Sequence, residues 1–391
     1  MPRSDLTFYE FFAGGGMARA GLGDKWNCVF ANDFSPAKAG AYVANWGDDD
    51  FVLGDIANIS LAQLPDQASL AWASFPCQDL SLAGAYAGLG KDGSNVATRS
   101  GTFWHFWSLI KRLGREARAP KAIVLENVFG ALTSRGGADF VAICDALAEG
   151  GYRFGAVVID AAEFVPQSRA RVFFIAVHAS QAVPSALCSP ISNSWHPAAL
   201  VKAHALLEGS ARQQWLWWKL PRPAKRSLQL AEIIEETPPD VRWHSTAETD
   251  KLLSMMSATN LQKVKTAANG STYTVGTIYR RTRPDKSGLK HQRAEVRFDG
   301  IAGCLRTPGG GSSRQTIMVV TGEKVKSRLL SSREAARLMG LPDSYKLPVR
   351  YNDAYQLAGD GVCVDVVRFL ARNLLEPLIK NTASFSSIAA E

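Results

Sequence analysis

Residues 70–81 read LAWASFPCQDLS. The apolar run Leu70–Ala73 predicts a buried strand, which Pro76 and Cys77 end at a loop rich in glycine and serine. The pattern places a thiol at the carboxyl end of a strand, the edge where open α/β sheets bind ligands. A thiol is a nucleophile only where its surroundings lower its pKa and supply the rest of the reaction. Because cysteine is also a common core residue, the rest of the chain must decide whether Cys77 is a nucleophile or a packing residue.

The first strand of the chain also leads into a turn suited to ligand binding. A strand over Leu6–Phe12 is followed by the glycine turn Ala13–Gly16 and then by a helix. Such a turn lets a ligand approach the backbone closely. Gly14 and Gly16 match two glycines of the dinucleotide fingerprint, but Arg19 replaces the third, which disfavours a pyrophosphate ligand.

Acidic residues stand at the ends of successive strands. Glu10, Asp33 and Asp55 end the first three, and they predict a nucleoside pocket for a cationic or amine-bearing ligand. Glu126 ends the fifth strand after four apolar residues, so we expect a partly desolvated functional carboxyl there. A structural carboxylate that caps the next helix is the alternative.

Two arginines precede a later apolar strand. Arg169 and Arg171 are two residues apart, and strand alternation predicts that they share one face. Such a pair can clamp an anion or an acceptor oxygen, although surface arginines are an alternative.

The composition limits the classes of protein to consider. The chain has 391 residues, of which 46% are hydrophobic and 20% charged, so one large or two ordinary domains are expected. No apolar run reaches the roughly 18 residues of a membrane helix, so we expect no membrane partner and no signal peptide. The six cysteines have no CxxC spacing, which predicts no metal site, no disulfide framework and a cytoplasmic setting.

Positive charge is concentrated in one stretch. The formal net charge is +8, and residues 263–297 contain nine basic and two acidic residues. Interleaved tyrosines and glycines favour loops and short strands there over a solvated helix. This pattern is typical of a module that contacts nucleic acid.

The motifs of this chain resemble, in order, those of the DNA (cytosine-5) methyltransferase family. The matching segments are Phe12–Gly16, Asn32–Phe34, Gly54–Ile56, Phe75–Gln78 with Ser81, Glu126–Val128, Gln167–Arg171, Arg306–Gly311 and Gly359–Val362. The resemblance covers most of the chain, and the basic stretch lies before the last two motifs. In the last motif, Asp360 stands where asparagine is frequent in the family.

The resemblance implies S-adenosyl-L-methionine as the cofactor and a cytosine as the acceptor of its methyl group. The expected catalytic residues are Cys77 as nucleophile, Glu126 at N3 of the ring, and Arg171 at O2 with Arg169 in support. The expected cofactor-binding residues are Phe12, Ala13, Gly14, Gly16, Asp33, Phe34, Asp55, Ile56, Phe75, Asp360 and Val362. Asp33 would bind the ribose and Asp55 the adenine amino group, while Phe34 and Ile56 would flank the adenine ring.

The resemblance also implies double-stranded DNA as the partner. The expected DNA-contacting residues are Gln78, Ser81, Arg99, Arg280, Arg281, Arg283, Lys290 and Arg293. The target cytosine would be flipped out of the duplex to reach Cys77. We expect a monomer associated with the nucleoid, with a paired restriction or defence-system nuclease as a further candidate partner.

The expected fold is α/β, a Rossmann-like S-adenosylmethionine-dependent methyltransferase domain with a smaller target-recognition domain. Residues 1–190 would form the catalytic domain, 191–325 the target-recognition domain, and 326–391 a hinge and a C-terminal helix that completes the catalytic domain.

Three alternatives remain open on the sequence alone. An RNA cytosine-5 methyltransferase would use the same pocket, but the basic insert argues against it. A catalytically silent DNA-binding module would not need Cys77, Glu126 and Arg171 together. A nicotinamide oxidoreductase is disfavoured by Arg19 in the glycine motif.

Overall fold

The structure is a computed structural model that describes residues 6–76, 89, 101–270, 273–284, 288–306 and 314–380. These residues form two compact units. The first comprises the chain up to Asp160, the segment Ala170–Ala224 and the segment from Val362 onward. The second comprises Ala161–Arg169 and Lys225–Gly361.

A seven-stranded sheet forms the centre of the first unit. Its strands are β1 (Thr7–Phe11), β2 (Asn27–Asp33), β3 (Phe51–Leu53), β4 (Leu70–Ala73), β5 (Ala122–Val128), β6 (Tyr152–Asp160) and β7 (Ala170–His178). Their order is β3-β2-β1-β4-β5-β7-β6. The other six strands share one direction, and β7 alone runs antiparallel to them. The direction of winding reverses at β1 and β4, and ligands bind at such a switch point. This sheet confirms the predicted Rossmann-like fold.

Helices accompany the sheet of the first unit. They are α1 (Met17–Leu22), α2 (Pro36–Trp46), α3 (Thr102–Arg115), α4 (Ala138–Glu149), α5 (Ala198–His204), α6 (Gly209–Gln213) and, near the C-terminus, α12 (Val364–Leu370), which continues as a π-helix over Ala371–Leu375. The residues of β4 are fully buried, as expected for a central parallel strand covered on both faces. Gly21 of α1 allows close contact with α12, because a Cβ there would lie 2.4 Å from Val367 Cβ.

A four-stranded antiparallel sheet forms the centre of the second unit. Its strands are β10 (Thr274–Pro284), β11 (Lys290–Arg297), β12 (Thr316–Thr321) and β13 (Lys324–Leu329), in the order β11-β10-β12-β13. The helices of this unit are α7 (Leu230–Ile233), α8 (Thr246–Ser254), α9 (Ala258–Asn269), α10 (Ser332–Arg337) and α11 (Tyr351–Asp360). Ile278, Val296 and Met318 of the sheet pack with Leu252 and Val264 of the helices in a separate apolar core.

The limits of the units differ from the boundaries at 190 and 325 drawn from the sequence. The chain after residue 190 stays in the first unit, where β8 (Cys188–Ser189) pairs antiparallel with β9 (Trp217–Trp218). Trp218 is buried there and donates from Nε1 to the carbonyl of Ile175 at 3.1 Å. Conversely, β13 pairs with β12 along its whole length and therefore belongs to the second unit.

The second unit also contains a fully buried ion pair. Arg328 donates from Nη1 and Nη2 to the two carboxylate oxygens of Glu334 at 2.8 and 2.6 Å. Glu334 in turn accepts from the backbone amide of Ser331, which caps α10. The pair therefore ties β13 to the start of α10. Among the described residues, no helix has the length and apolar character needed to cross a lipid bilayer.

Candidate active site

The glycine turn after β1 has the backbone geometry that a close ligand needs. Phe12, Gly14 and Gly16 have φ values of 56°, 58° and 77°, in the left-handed region that glycine tolerates best. A Cβ on Gly16 would lie 2.3 Å from Nε1 of Trp46. That indole donates to the carbonyl of Gly15 at 3.1 Å. Because Trp46 is the last residue of α2, this helix helps to hold the turn in place.

Asp33 links the ends of the first two strands. Its carboxylate accepts from the backbone amide of Gly14 at 2.8 Å and from that of Ser35 at 2.9 Å. Asn32 donates from Nδ2 to the carbonyls of Val52 and Gly54, each at 2.9 Å. The ends of β1, β2 and β3 are thus fixed together at one edge of the sheet. Each Asp33 oxygen has a further lone pair for a ligand hydroxyl.

The residues expected at the adenine differ in their exposure. Phe34 follows Asp33 and is 68% exposed, whereas Ile56 is buried. Asp55 is exposed, and its carboxylate accepts from the amide of Ala57 at 2.9 Å, which caps the short helix Ile56–Asn58. An exposed phenylalanine beside a fixed carboxylate offers an apolar surface to a flat ring.

The segment after β4 is held by β5. Phe75 is buried, and its carbonyl accepts from Nδ2 of Asn127 at 3.2 Å. Asn127 therefore fixes the chain two residues before Cys77. Cys77 itself lies outside the described residues, as do Gln78, Ser81 and Arg99.

Glu126 and Arg171 form an ion pair on one face of the central sheet. Val128 of β5 lies opposite Arg171 of β7, so Glu126 is the diagonal neighbour of that arginine. Nε of Arg171 lies 3.1 Å from Oε1 of Glu126. Their side chains are only 14% and 7% exposed, so the pair is largely desolvated. The structure thus brings together two of the expected catalytic groups, one carboxylate and one guanidinium.

Arg169 is directed elsewhere. It precedes the first residue of β7 and is buried in the second unit. Its Nη2 donates to the carbonyls of Gly359 and Gly361 at 2.8 and 2.7 Å, and its Nη1 donates to Leu305 at 3.4 Å. The guanidinium therefore holds the turn around Asp360. Strand alternation had placed Arg169 on the face of Arg171, but that alternation applies only within β7.

The remaining expected residues have the following positions. Asp360 is exposed and ends α11 in the second unit, while Val362 is buried in the first. Of the expected DNA-contacting residues, Arg280 and Arg281 lie on β10, and Lys290 and Arg293 lie on β11. The side chain of Arg283 lies outside the described set.

Several positioning residues had no role assigned from the sequence. Asn32 and Asn127 lie inside recognised motifs, directly beside Asp33 and Glu126. Their place in those motifs was the only sequence signal that could have indicated a positioning role. Trp46 had no such signal, because its partner Gly15 is 31 positions away. The structure adds these three as supports of the ligand edge of the sheet.

Comparison with known proteins identifies the family. The family model for C-5 cytosine-specific DNA methylases matches residues 6–376. The chain is 28% identical to type II methyltransferase M.HpaII of Haemophilus parainfluenzae, over 96% of this chain and 91% of that protein. It is 26% identical to type II methyltransferase M.HhaI of Haemophilus parahaemolyticus, over 94% of each chain.

Solved structures agree at the level of the fold. The Dnmt2 methyltransferase of S. pombe superposes with a TM-score of 0.56 at 18% identity, over 95% of this chain and 99% of that one. A putative DNA modification methyltransferase encoded within an E. coli prophage gives a TM-score of 0.52 at 16% identity, over 96% and 99%.

The residues at the sheet edge fit S-adenosyl-L-methionine. The space around Gly14 is open, with no atom within 4 Å of the position of a Cβ, Asp33 offers acceptors for ribose hydroxyls, and Phe34 exposes an aromatic face. A backbone turn with two left-handed glycines lets a ligand approach the main chain closely. The chain belongs to the C-5 cytosine-specific DNA methylase family, and it is a DNA (cytosine-5)-methyltransferase that uses S-adenosyl-L-methionine.

Proposed function

We propose that this enzyme methylates C5 of a flipped-out cytosine within a specific site of duplex DNA, through a covalent bond between Cys77 and C6. The observation that carries the proposal is the desolvated pair of Glu126 and Arg171, 3.1 Å apart. A carboxyl group that shares a proton with N3 and a guanidinium that donates to O2 would match this edge of a cytosine.

The names of the relatives support a role in modification. M.HpaII and M.HhaI are both named as type II methyltransferases. We infer that this chain acts in a prokaryotic or phage modification system, as a monomer, with a paired restriction or defence-system nuclease as partner. The first unit would carry the chemistry and the second would recognise the target.

The reaction begins with the cysteine. The thiolate of Cys77 adds to C6, which raises the electron density at C5. S-adenosyl-L-methionine, when bound, would supply the electrophilic methyl group to C5 and leave as S-adenosyl-L-homocysteine. The C5 proton then leaves to solvent, the C5–C6 double bond re-forms, and the C6–S bond breaks to release Cys77 as a thiolate.

The polar residues stabilise the charge that this addition creates. Glu126 would be hydrogen-bonded at N3 as electron density moves into the ring. Arg171 would donate to O2 and offset its growing negative charge, while its bond to Glu126 keeps both groups oriented. We assign Arg169 a positioning role instead, because its guanidinium already binds the carbonyls of Gly359 and Gly361.

Mechanism-based trapping tests the proposal. Duplex DNA that contains 5-fluorocytosine cannot lose the C5 substituent as a proton, so the wild-type protein should remain bound to it in denaturing gels. Cys77→Ser should form no such complex and transfer no methyl group, yet retain cofactor binding. Cys188→Ser is the matched control, because this half-buried cysteine lies on β8 and should trap normally.

Two outcomes would contradict the proposal. Trapping or turnover by Cys77→Ser would remove the nucleophile assignment. Methylation of tRNA in preference to duplex DNA in the same assay would favour the RNA enzyme.

A further inference from the structure

The hairpin of β10 and β11 extends beyond the sheet to which it belongs. Pairing between β10 and β12 ends at Ile278. From Tyr279 to Pro284, β10 pairs only with β11, as far as Lys290. We call the part formed by residues 279–284 and 290–295 the ribbon. A two-stranded ribbon has dimensions that the major groove of DNA admits.

The two faces of the ribbon differ in chemistry. Ile278, Ala294 and Val296 are buried in the apolar core, so alternation places Arg280 on the core side. The other face carries Tyr279 opposite Glu295, followed by Arg281 opposite Arg293. We call it the arginine face.

The pairing of Arg281 with Arg293 is unfavourable for folding alone. Like charges directly opposite each other on neighbouring strands destabilise a sheet. Arg281 has Glu295 at 3.6 Å, but both of these side chains are more than 40% exposed, so that bond is weak. Arg293 is also exposed. Two adjacent exposed guanidinium groups on a protruding ribbon indicate an electronegative ligand.

The arginine face continues into a cavity of about 430 Å³. Tyr279, Arg281 and Glu295 line it. Lys263 and Arg306 contribute further positive charge to its wall, whereas the charge of Arg297 is offset by its ion pair with Asp299. Arg280 is also exposed, but it lies on the other face and does not line the cavity, so we take the arginine face as the one that meets the ligand.

We propose that Arg281 and Arg293 read guanine in the major groove, so that the target site contains guanine at the positions the ribbon reaches. The proposal rests on the proposed action on duplex DNA. An arginine fork donates two hydrogen bonds to O6 and N7 of guanine, which is the commonest specific contact in that groove. A phosphate contact would carry no sequence information.

Selection from random duplexes tests this proposal. The Cys77→Ser protein would be used to select bound sequences, and the active protein to methylate the same library for bisulfite sequencing. We expect a guanine preference that falls about tenfold to a hundredfold at one position in Arg281→Gln and in Arg293→Gln. Arg293→Lys should weaken the same preference, because lysine keeps the charge and can still donate to guanine but lacks the rigid fork.

Arg280→Gln is the matched variant, since it removes the neighbouring charge from the opposite face. It should keep the base preference. The proposal is overturned if Arg293→Gln binds all sequences more weakly with a salt slope reduced by about one, which is the behaviour of a phosphate contact. It is also overturned if Arg280→Gln loses the same preference, or if the wild type selects no guanine. Thermal melting of each variant verifies that these exposed substitutions leave the fold intact.

The two proposals fail in different ways. If the Cys77→Ser protein selects guanine through these arginines but the active protein methylates no DNA, only the proposed function fails. If methylation is normal and no base preference depends on Arg281 or Arg293, only the reading role fails.

Discussion

Glutamine in place of the buried Glu10 should remove a loss of stability between pH 5 and pH 8. The Glu10 side chain is 1% exposed and lies below the glycine turn. Its Oε1 accepts from the amide of Arg19 at 3.2 Å, and its Oε2 has no hydrogen-bond partner among the described residues. Burial raises the pKa of this carboxyl from 4.5 to about 8, although Arg19 opposes that shift.

The sign of the effect follows from proton binding. Between pH 5 and pH 8 the folded protein keeps Glu10 protonated, whereas the unfolded chain has it ionised. Unfolding then releases a proton, so the free energy of unfolding falls by about 1.4 kcal/mol per pH unit. With a pKa of 4.5 in the unfolded chain and about 8 in the fold, the loss from pH 5 to pH 8 is roughly 3–4 kcal/mol. The contribution is complete below pH 4.5 and fully lost above pH 8.

Cys28, Tyr42 and Arg19 lie near Glu10 and do not titrate in this window. Burial raises the pKa of the Cys28 thiol to about 12 and raises that of Tyr42 further. Burial lowers the pKa of Arg19, but Tyr42 and Cys28 raise it overall, so its guanidinium stays charged. Histidines elsewhere in the chain contribute equally to wild type and variant, so they cancel in the comparison.

Urea unfolding at pH 5, 6, 7 and 8 measures the effect, with Glu149→Gln as a control at an exposed glutamate. Glutamine keeps an oxygen for the Arg19 amide and has no proton to lose. Glu10→Gln should therefore unfold close to wild type at pH 5 and at clearly higher urea at pH 8. The reasoning is refuted if Glu10→Gln and wild type lose stability in parallel over this range.

Two further predictions concern packing and charge. Gly21→Ala should destabilise the protein by roughly 1–3 kcal/mol, because its Cβ would lie 2.4 Å from Val367 Cβ. Gly40→Ala is the control and should be neutral or stabilising, because no atom lies within 4 Å of its Cβ. Equal melting temperatures for the two variants would contradict this prediction. Arg328→Met should lower the free energy of unfolding in urea by about 3–5 kcal/mol, because it leaves Glu334 buried without its partner. An unchanged unfolding midpoint would show that the ion pair contributes nothing to stability.

Local patterns were enough to predict the ligand edge of the sheet. The strand, the glycine turn and the acids at strand ends are encoded within a few residues of each other. Parallel strands bring their carboxyl ends to one edge, so Asp33 and the Gly14 turn had to meet there. The pair of Glu126 and Arg171 follows for a related reason, since antiparallel pairing of β5 with β7 brings the end of one strand to the start of the other.

Features that depend on distant partners could not be predicted in this way. The basic stretch was evident from composition, but composition does not reveal which face an arginine occupies. Arg280 and Arg281 are consecutive, and only the register with β11 and the buried Ile278 assign them to opposite faces. The limits of the compact units depend on such distant contacts too, because Trp218 is held by Ile175 and not by its neighbours in sequence.

The segment from Gln167 to Arg171 shows why a motif can mislead about the role of its parts. Its first half belongs to the second unit, where Gln167 donates to the carbonyl of Leu338 at 2.7 Å and Arg169 holds Gly359. Its last residue belongs to β7 in the first unit and pairs with Glu126. The spacing of two residues between the arginines therefore marks the point where the chain passes from one unit into the other. Strand alternation predicts one shared role for the pair, whereas the contacts require two.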